Sequence, residues 1–283
     1  MTAPTCAQAL ATARQLGLKR LDAQLLLLHA LNKPPAARSW LLAHDTDALT
    51  PQAADVFGAL CQRRAAGEPL AYIVGRKEFF GLSLQVDARG LVPRPDTETL
   101  VEWSLEVLSL ADTPPALEVL DLGTGSGAIA LALAHSLHAA GRNAQVTAVD
   151  FSAEALQLAC ENARQLGLAV AFIESNWMAQ VSGHFHLIAS NPPYIAHDDP
   201  HLVDLQHEPQ QALTAGPDGL DDLRCIIGQA PAHLLPGGWL LLEHGYDQAA
   251  QVRESLVRQG FVQVQSRLDL AGIARCSGGQ WPA

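Results

Sequence analysis

Leu117-Glu118-Val119-Leu120-Asp121-Leu122-Gly123-Thr124-Gly125-Ser126-Gly127 is the stretch on which the fold turns. Its first six residues read as a buried strand, and residues 128–140 read as an apolar helix. The three glycines therefore sit at the carboxyl end of a strand, where open α/β sheets bind ligands. Glycine turns the backbone tightly and brings it against a ligand with no Cβ in the way. A lone Gly-x-Gly pattern is as readily a structural turn as a binding loop. Its neighbours must decide.

Further along the chain, short apolar runs at 145–149, 170–173, 185–190 and 239–243 alternate with amphipathic segments at 153–166, 220–234 and 248–259. Such alternation indicates a parallel sheet covered on both faces, and residues 261–270 and 273–277 read as a closing antiparallel pair. The strand after the glycines ends at Asp150, and an acidic residue about 20 positions on is placed to accept from both hydroxyls of a ribose. The spacing here is Gly-x-Gly-x-Gly, with Asp121 just before it. A pyrophosphate is repelled by that carboxylate, whereas the sulfonium and ammonium of S-adenosylmethionine are attracted. Charge favours the methyl donor over NAD.

Residues 185–190 lead into Asn191-Pro192-Pro193-Tyr194, on the same rim as the glycine loop. Two prolines fix their own φ and donate no N–H, so the Pro192 carbonyl can be held outward for a ligand. Asn191 adds a side-chain carbonyl, and Tyr194 a flat face. Two acceptors converging on one planar NH₂ suit an amide or aromatic amine whose lone pair is delocalised. Gripping its hydrogens orients the nitrogen toward a methyl group with no strong base required. The structural alternative, a proline-stiffened loop after a buried strand, does not account for the matching glycine loop and Asp150.

On the amino-terminal side, residues 1–74 are rich in Ala, Leu, Gln and Arg, with apolar positions at helical spacing: Ala9, Leu10, Ala13, Leu16, then Leu21, Leu25, Leu28, Leu31. Breaks at Gly17, 32–35, Thr50-Pro51 and 67–69 predict four or five short helices. Residues 75–92 read as a β-hairpin linker, and 93–283 as the second domain. Its first helix is expected to start at Thr99, with Glu102 completing a capping box, and to run through Leu110.

The composition, 48% hydrophobic and 17% charged, is that of a chain with a sizeable core, which excludes disorder and fibres. The formal net charge is −11, which argues against a broad phosphate-tracking surface. Five cysteines, an odd number with no Cys-x-x-Cys, read as reduced thiols in a cytoplasmic protein. No export signal or membrane span is visible, and no residue argues for a dimer seam, so a monomer is expected.

Asn-Pro-Pro-Tyr after a strand, with Asp-Leu-Gly-Thr-Gly-Ser-Gly upstream, resembles the S-adenosylmethionine-dependent amino-methyltransferases. Gly67-Glu68-Pro69-Leu70-Ala71-Tyr72-Ile73, Pro93-Arg94-Pro95-Asp96-Thr97-Glu98 and Leu241-Leu242-Glu243-His244-Gly245 are similar to one branch of them, the PrmC/HemK release factor glutamine methyltransferases. The likeness runs from about residue 67 to 250, and residues 1–66 match only as a helical bundle. It implies a Rossmann-like class I methyltransferase domain, joined by the hairpin to a helical domain that docks the partner. The implied reaction methylates the side-chain amide of the glutamine in the Gly-Gly-Gln motif of class 1 peptide chain release factors, a step in translation termination. By that resemblance Gly123, Thr124, Gly125, Ser126, Gly127 and Asp150 hold the donor, Trp177 packs beside its adenine, and Asn191 touches both substrates. Asn191, Pro192, Pro193 and Tyr194 receive the glutamine, with Asn191, Pro192 and Tyr194 as its catalytic residues. The family usually carries Asp before the tryptophan, where this chain has Asn176.

Some features point elsewhere. Gly278-Gly279-Gln280 repeats the tripeptide that the family modifies, and we read it as coincidence in a mobile terminus. His184, His186, His197, His201 and His207 have no Cys or carboxylate spaced with them as a metal site, so no metal is expected. The acidic stretch holding Asp198, Asp199, Asp204, Glu208, Asp218, Asp221 and Asp222 reads equally as a solvated loop or a lid over the site. Cys160 and Cys225 read as core. A nucleic-acid amino-methyltransferase acting on adenine N6 or guanine N2 could use the same tetrapeptide, but the net charge opposes it. A non-catalytic adenosine-binding module leaves the intact tetrapeptide without a purpose.

Overall fold

Helical spacing in the first 76 residues resolves into α1 (Cys6–Gln15), α2 (Arg20–Ala30), α3 (Arg38–Ala43), α4 (Pro51–Ala65) and α5 (Leu70–Val74). The computed structural model describes residues 3–109 and 116–283, and divides the chain into two units, Met1–Arg76 and Lys77–Ala283. Thr5 and Gln8 form a capping box on α1, and the Thr50 hydroxyl accepts from the Ala53 N–H at the start of α4. Leu26, Leu27 and Leu28 are all buried because α2 packs against α1, α3, α4 and α5. Leu16 and Leu21, which helical spacing placed inward, are exposed instead. A helix surrounded on several sides buries consecutive residues, and a single-stripe reading misses that.

The second unit opens with a hairpin, β1 (Arg76–Phe79) and β2 (Leu82–Gln85), turned by Phe80 and Gly81 at φ 49° and 78°. Phe79, Leu82 and Leu84 are buried in the core of this unit. Seven strands then form one sheet: β3 (Ala116–Leu122), β4 (Asn143–Asp150), β5 (Ala171–Glu174), β6 (Phe185–Ser190), β7 (Leu234–Glu243), β8 (Val262–Leu268) and β9 (Ala274–Gln280). Their order is β5-β4-β3-β6-β7-β9-β8, parallel as far as β7, with β9 inserted antiparallel between β7 and β8. The chain leaves β3 toward β4 on one side and returns through β6 on the other, which opens a crevice at their carboxyl ends. The helices are α6 (Glu98–Leu108), α7 (Ala128–Ala139), α8 (Ala153–Leu166), α9 (Asp221–Gln229) and α10 (Ala249–Gln259). Leu117 and Val119 of β3 enter one core cluster with α6 and α7, while Leu120 and Leu122 enter the other with α9 and α10. Both sheet faces are therefore covered, and the Rossmann-like architecture stands.

Several boundaries differ from the sequence reading for identifiable reasons. There is no capping box at Thr99. A 3₁₀ turn over Pro95–Thr97 leads into α6, and the buried Thr97 hydroxyl faces Asn191 instead. α6 ends at Leu108, and Leu110 lies outside the described residues. α9 stops at Gln229 because Pro231 follows, continuing as a 3₁₀ turn over Ala230–Ala232. Gly278-Gly279-Gln280 is not a loose terminus but part of β9. A Cβ on Gly278 would collide with Leu240 and Leu241 of β7, and the Gln280 side chain is held by Gly237 and Gln263. Cys160 and Cys225 are half-buried rather than core, and all five cysteines are free. His186 accepts from the Glu118 N–H at 3.0 Å. Among the described residues no helix is long and apolar enough to cross a membrane.

Asn162 of α8, 1% exposed, bonds the Gln85 N–H and carbonyl at 2.7 and 3.0 Å and the Ser126 carbonyl at 2.9 Å. It ties the hairpin to the glycine loop. Asn162→Ala removes three bonds and strands buried backbone groups, so urea denaturation should show a loss of about 2 to 4 kcal/mol with an unchanged m value. A loss below about 0.5 kcal/mol, the low end for a single bond, would remove this role.

Candidate active site

β3, β4 and β6 end around a cavity of about 300 Å³, at the small end of the range for ligand pockets. Gly123 and Gly125 line it with φ of 70° and 54°. A Cβ on Gly123 would stand 3.5 Å from the Trp177 ring and 3.9 Å from the Asn191 carbonyl oxygen. Only glycine holds that conformation without strain and leaves that space open. Thr124, Ser126 and Gly127 lie behind the wall. Thr124 is buried and bonds Asp121, the Ser126 carbonyl is taken by Asn162, and Gly127 lets α7 approach Ala159.

Asp150 reaches the cavity with each oxygen already accepting one N–H, from Gly125 at 2.8 Å and Ser152 at 2.9 Å. Each oxygen keeps a lone pair for a hydroxyl. Burial raises this carboxyl above its ordinary value. Asp121, fully buried below the loop, accepts from the Thr124 hydroxyl at 2.6 Å and the Ala130 N–H at 3.1 Å through Oδ2. Its Oδ1 has no hydrogen-bond partner among the described residues. Burial pushes it up to about 7, opposed by those two donors and reinforced by Asp150.

Across the cavity stand Asn191 and Pro193. The Asn191 Nδ2 donates to Thr97 Oγ1 at 3.2 Å, so its Oδ1 is the group presented elsewhere. Pro192 is buried and Tyr194 half-buried, and neither is on the cavity wall. The Tyr194 hydroxyl points at Glu243 Oε1, 3.5 Å away, and its carbonyl accepts from Gln248 Nε2 at 2.9 Å. Burial raises the Tyr194 phenol. The tetrapeptide and the glycine loop thus meet at one crevice, with Asn191 as their common member.

Trp177, at φ 48°, lines the cavity and donates its indole N–H to Asp222 Oδ1 at 3.2 Å. Burial raises the Asp222 carboxyl. Asn176 is also on the wall, so the carboxyl expected at that position is an amide, while Asp222 of α9 brings one beside the tryptophan. Phe151, 68% exposed, adds an aromatic side chain at the rim. Its place directly after Asp150 was the available signal. Asp222 had none, because 45 residues separate it from Trp177.

The acidic loop does two things. Pro209, Gln211 and Ala212 line the cavity, whereas Glu208 turns inward, buried, to accept from the Val92 N–H at 3.1 Å and pair with Arg94. The loop is folded back by Ile195 bonds to Leu213 and Ala215. Glu208 is thus no solvated charge. Taken together, the open glycine wall, the two spare lone pairs of Asp150, the unpartnered Asp121 oxygen and the rim aromatics fit an adenosine-bearing cation.

The chain matches the family model for the PrmC N-terminal domain over residues 5–75 and that for the methyltransferase small domain over residues 104–216. It is 48% identical over 286 residues to a release factor glutamine methyltransferase of Xylella fastidiosa, covering 100% of this chain and 99% of that one. A protein of the same name from Pseudomonas aeruginosa is 49% identical, covering 93% and 92%. A solved methyltransferase from Pyrococcus furiosus shares the fold, with TM-score 0.52, 18% identity and coverage of 78% and 98%. Full-length identity of this order, over both the helical unit and the sheet, means that the chain belongs to the release factor glutamine methyltransferase family.

Proposed function

We propose that this protein methylates the side-chain amide nitrogen of the glutamine in the Gly-Gly-Gln motif of class 1 peptide chain release factors. S-adenosylmethionine is the donor and N(5)-methylglutamine the product. The observation that carries this reading is the meeting of Asn191 with the Gly123 wall, which sets an amide-binding tetrapeptide beside a donor cavity. When bound, the donor supplies a methyl group on a cationic sulfur. Asp150 holds its ribose, Trp177 and Phe151 flank its adenine, and Asp121 faces its charge through the loop. The Asn191 Oδ1 and the Pro192 carbonyl accept the two amide N–H bonds, and Tyr194 supports the amide plane. These contacts would orient the nitrogen toward the donor's methyl with no prior deprotonation; as the nitrogen takes the methyl it gives up one proton to solvent, and the donor's sulfur leaves as a neutral thioether.

Charge distribution supports a protein substrate. Residues 77–283 carry ten Lys and Arg against twenty-four Asp and Glu, a poor surface for a nucleic acid. Residues 1–76 carry eight against five, and this helical unit docks the release factor. The protein acts as a monomer in the cytoplasm, where its substrate works.

Incubation with labelled donor should mark a purified release factor, and not a factor whose Gly-Gly-Gln glutamine is replaced by alanine, nor tRNA or DNA. Label on the nucleic acids alone would reverse the assignment. Asn191→Ala should lower kcat by about 100-fold or more, the scale of one lost transition-state contact, with donor Kd nearly unchanged; normal kcat would dismiss its role.

The Asp121 carboxyl at about 7 predicts the pH dependence of donor binding. Below that value it is neutral, and a nearby cation binds best once it has ionised. Donor affinity, measured by calorimetry, should therefore strengthen from pH 6 to pH 8, and the rise should flatten in Asp121→Asn. An unaltered slope in that variant would exclude Asp121 as its source. Separately, Glu208→Ala releases the loop from Val92 and Arg94. Donor dissociation should quicken by about tenfold, equivalent to about 1.4 kcal/mol. An unchanged rate in stopped flow would leave the loop without a gating role.

A further inference from the structure

We infer that the tip of the β8–β9 hairpin, with Leu268, Leu270 and Ile273, is a docking surface that takes an apolar face of the release factor beside its Gly-Gly-Gln loop. The inference deepens the proposed function and rests on it, since the occupant is the protein whose glutamine must reach Asn191.

This tip is apolar where turns are ordinarily polar. Leu270 is fully exposed, Leu268 is 61% exposed and Ile273 37%, and among the described residues none of the three enters a core cluster. Single apolar side chains scattered over a surface need no explanation, but three within six residues on a rigid loop call for a partner. Rigidity comes from Asp269, buried beneath the turn. Its Oδ1 accepts the Ala271 and Ile273 N–H groups at 2.8 and 2.9 Å, and its Oδ2 accepts from Arg275 Nε at 3.1 Å. The Asp269 N–H donates to the Ile273 carbonyl at 2.8 Å and the Gly272 N–H to the Asp269 carbonyl at 3.0 Å, with Gly272 at φ 80°. Leu270 is therefore held out on a turn that is already ordered, so little conformational freedom is lost when a partner covers it.

Topology says what covers it. β9 runs antiparallel to β7 with Cys276 opposite Glu243, so the tip that precedes β9 projects past the carboxyl end of β7. β6 ends on the same side, and the row Ser190–Leu242–Ser277 sets its last residue two strand spacings, about 10 Å, from β9. Asn191 is the next residue along the chain. Contacts join the two places as well: Arg275 bridges Asp269 at 3.1 Å and Asp96 at 3.4 Å, and Asp96 adjoins Thr97, whose hydroxyl oxygen accepts from Asn191 at 3.2 Å. The docking surface is thus continuous with the substrate site. A glutamine carried on a loop of a folded protein enters from this rim, which brings the body of that protein over the rim and onto the tip.

Steady-state kinetics on the full-length enzyme, with intact release factor and labelled donor, test this in Leu270→Ser, Leu270→Met and the double variant Leu268→Ser/Leu270→Ser. A factor whose Gly-Gly-Gln glutamine is replaced by alanine serves as competing inhibitor. Expected in Leu270→Ser is a factor KM about tenfold higher at unchanged kcat and donor Kd, the pattern of lost uniform binding. The inhibitor Ki should rise in step, because docking at the tip does not involve the glutamine. Leu270→Met should keep both near wild type, and the double variant should lose more than Leu270→Ser. The urea midpoint should not move, since the replaced side chains lie outside the core. KM and Ki unmoved in both serine variants, or a fall in kcat at normal KM, would overturn the inference. Wild-type self-association in sedimentation that disappears in Leu270→Ser would assign the tip to a second copy of the chain and overturn it as well. A labelled factor with unmoved KM sinks the docking tip alone, whereas a wild-type enzyme that leaves the factor unlabelled is a failure of the function itself.

Discussion

The Thr124 hydroxyl and the Ala130 N–H, from different elements, meet on one oxygen of the Asp121 carboxyl, at 2.6 and 3.1 Å. α7 begins at a glycine that offers no side-chain cap, so its first N–H groups need acceptors from elsewhere. Asp121 supplies one from the end of β3, beneath the helix, where the helix dipole also favours negative charge. The loop between strand and helix must then close within five residues, and it does so with Gly123, Gly125 and Gly127 all at positive φ. The glycines are a consequence of that anchor as much as of the ligand. Their wall against the cavity is empty because the chain had no room to turn any other way.

What the anchor does for β3, side chains from neighbouring elements do for the tetrapeptide. The Ser190 hydroxyl donates to the Leu122 carbonyl at 2.7 Å, joining the ends of β6 and β3 just before Asn191. Gln248 takes the Gly245 N–H at 2.8 Å and gives its own N–H groups to the Tyr194 and Gly219 carbonyls, so the exits of β6 and β7 move together. Gly219 has to be glycine, since a Cβ there would strike the Tyr194 carbonyl. Proline stiffness alone is thus only part of what fixes Asn191-Pro192-Pro193-Tyr194. The loop is held at both ends by buried polar contacts.

Most of this was legible in the chain. The strand and helix pattern from 117 onward, the hairpin and the helical bundle follow from periodicity and from glycine and proline punctuation, and Asp150 and Asn191 fell where the spacing put them. The reading missed contacts distant in sequence. Thr97 reaching Asn191 spans 94 residues, Glu208 reaching Val92 spans 116, and neither residue carries a local signal. Glu208 sat in an acidic run that read equally as a solvated loop or a lid, neither of which places it inward on Val92 and Arg94, and Thr97 sat beside a Thr99–Glu102 pair that imitated a cap. Of the loop residues taken as donor contacts, Thr124, Ser126 and Gly127 are off the cavity wall, because Thr124 is turned to Asp121, the Ser126 carbonyl to Asn162, and Gly127 is packed against Leu131 and Ala159.

Under the proposed function, the division of labour follows from where charge is lost. Asp121 and Asp150 stabilise a cationic donor, but the positive charge disperses as the methyl group leaves, so their attraction weakens along the reaction coordinate. Groups that favour the ground state at least as well as the transition state contribute affinity, not rate. Acceleration must then come from neutral groups that are fixed before the amide arrives: the Asn191 carbonyl, the Pro192 carbonyl and the Tyr194 ring. An amide nitrogen is a poor nucleophile at any orientation but one, with its lone pair perpendicular to the amide plane and directed at the methyl carbon. Rigid acceptors that enforce that orientation supply what a base could not. On that reading the contacts of Thr97 with Asn191 and of Gln248 with the Tyr194 carbonyl act by positioning these acceptors, since neither residue lies on the cavity wall.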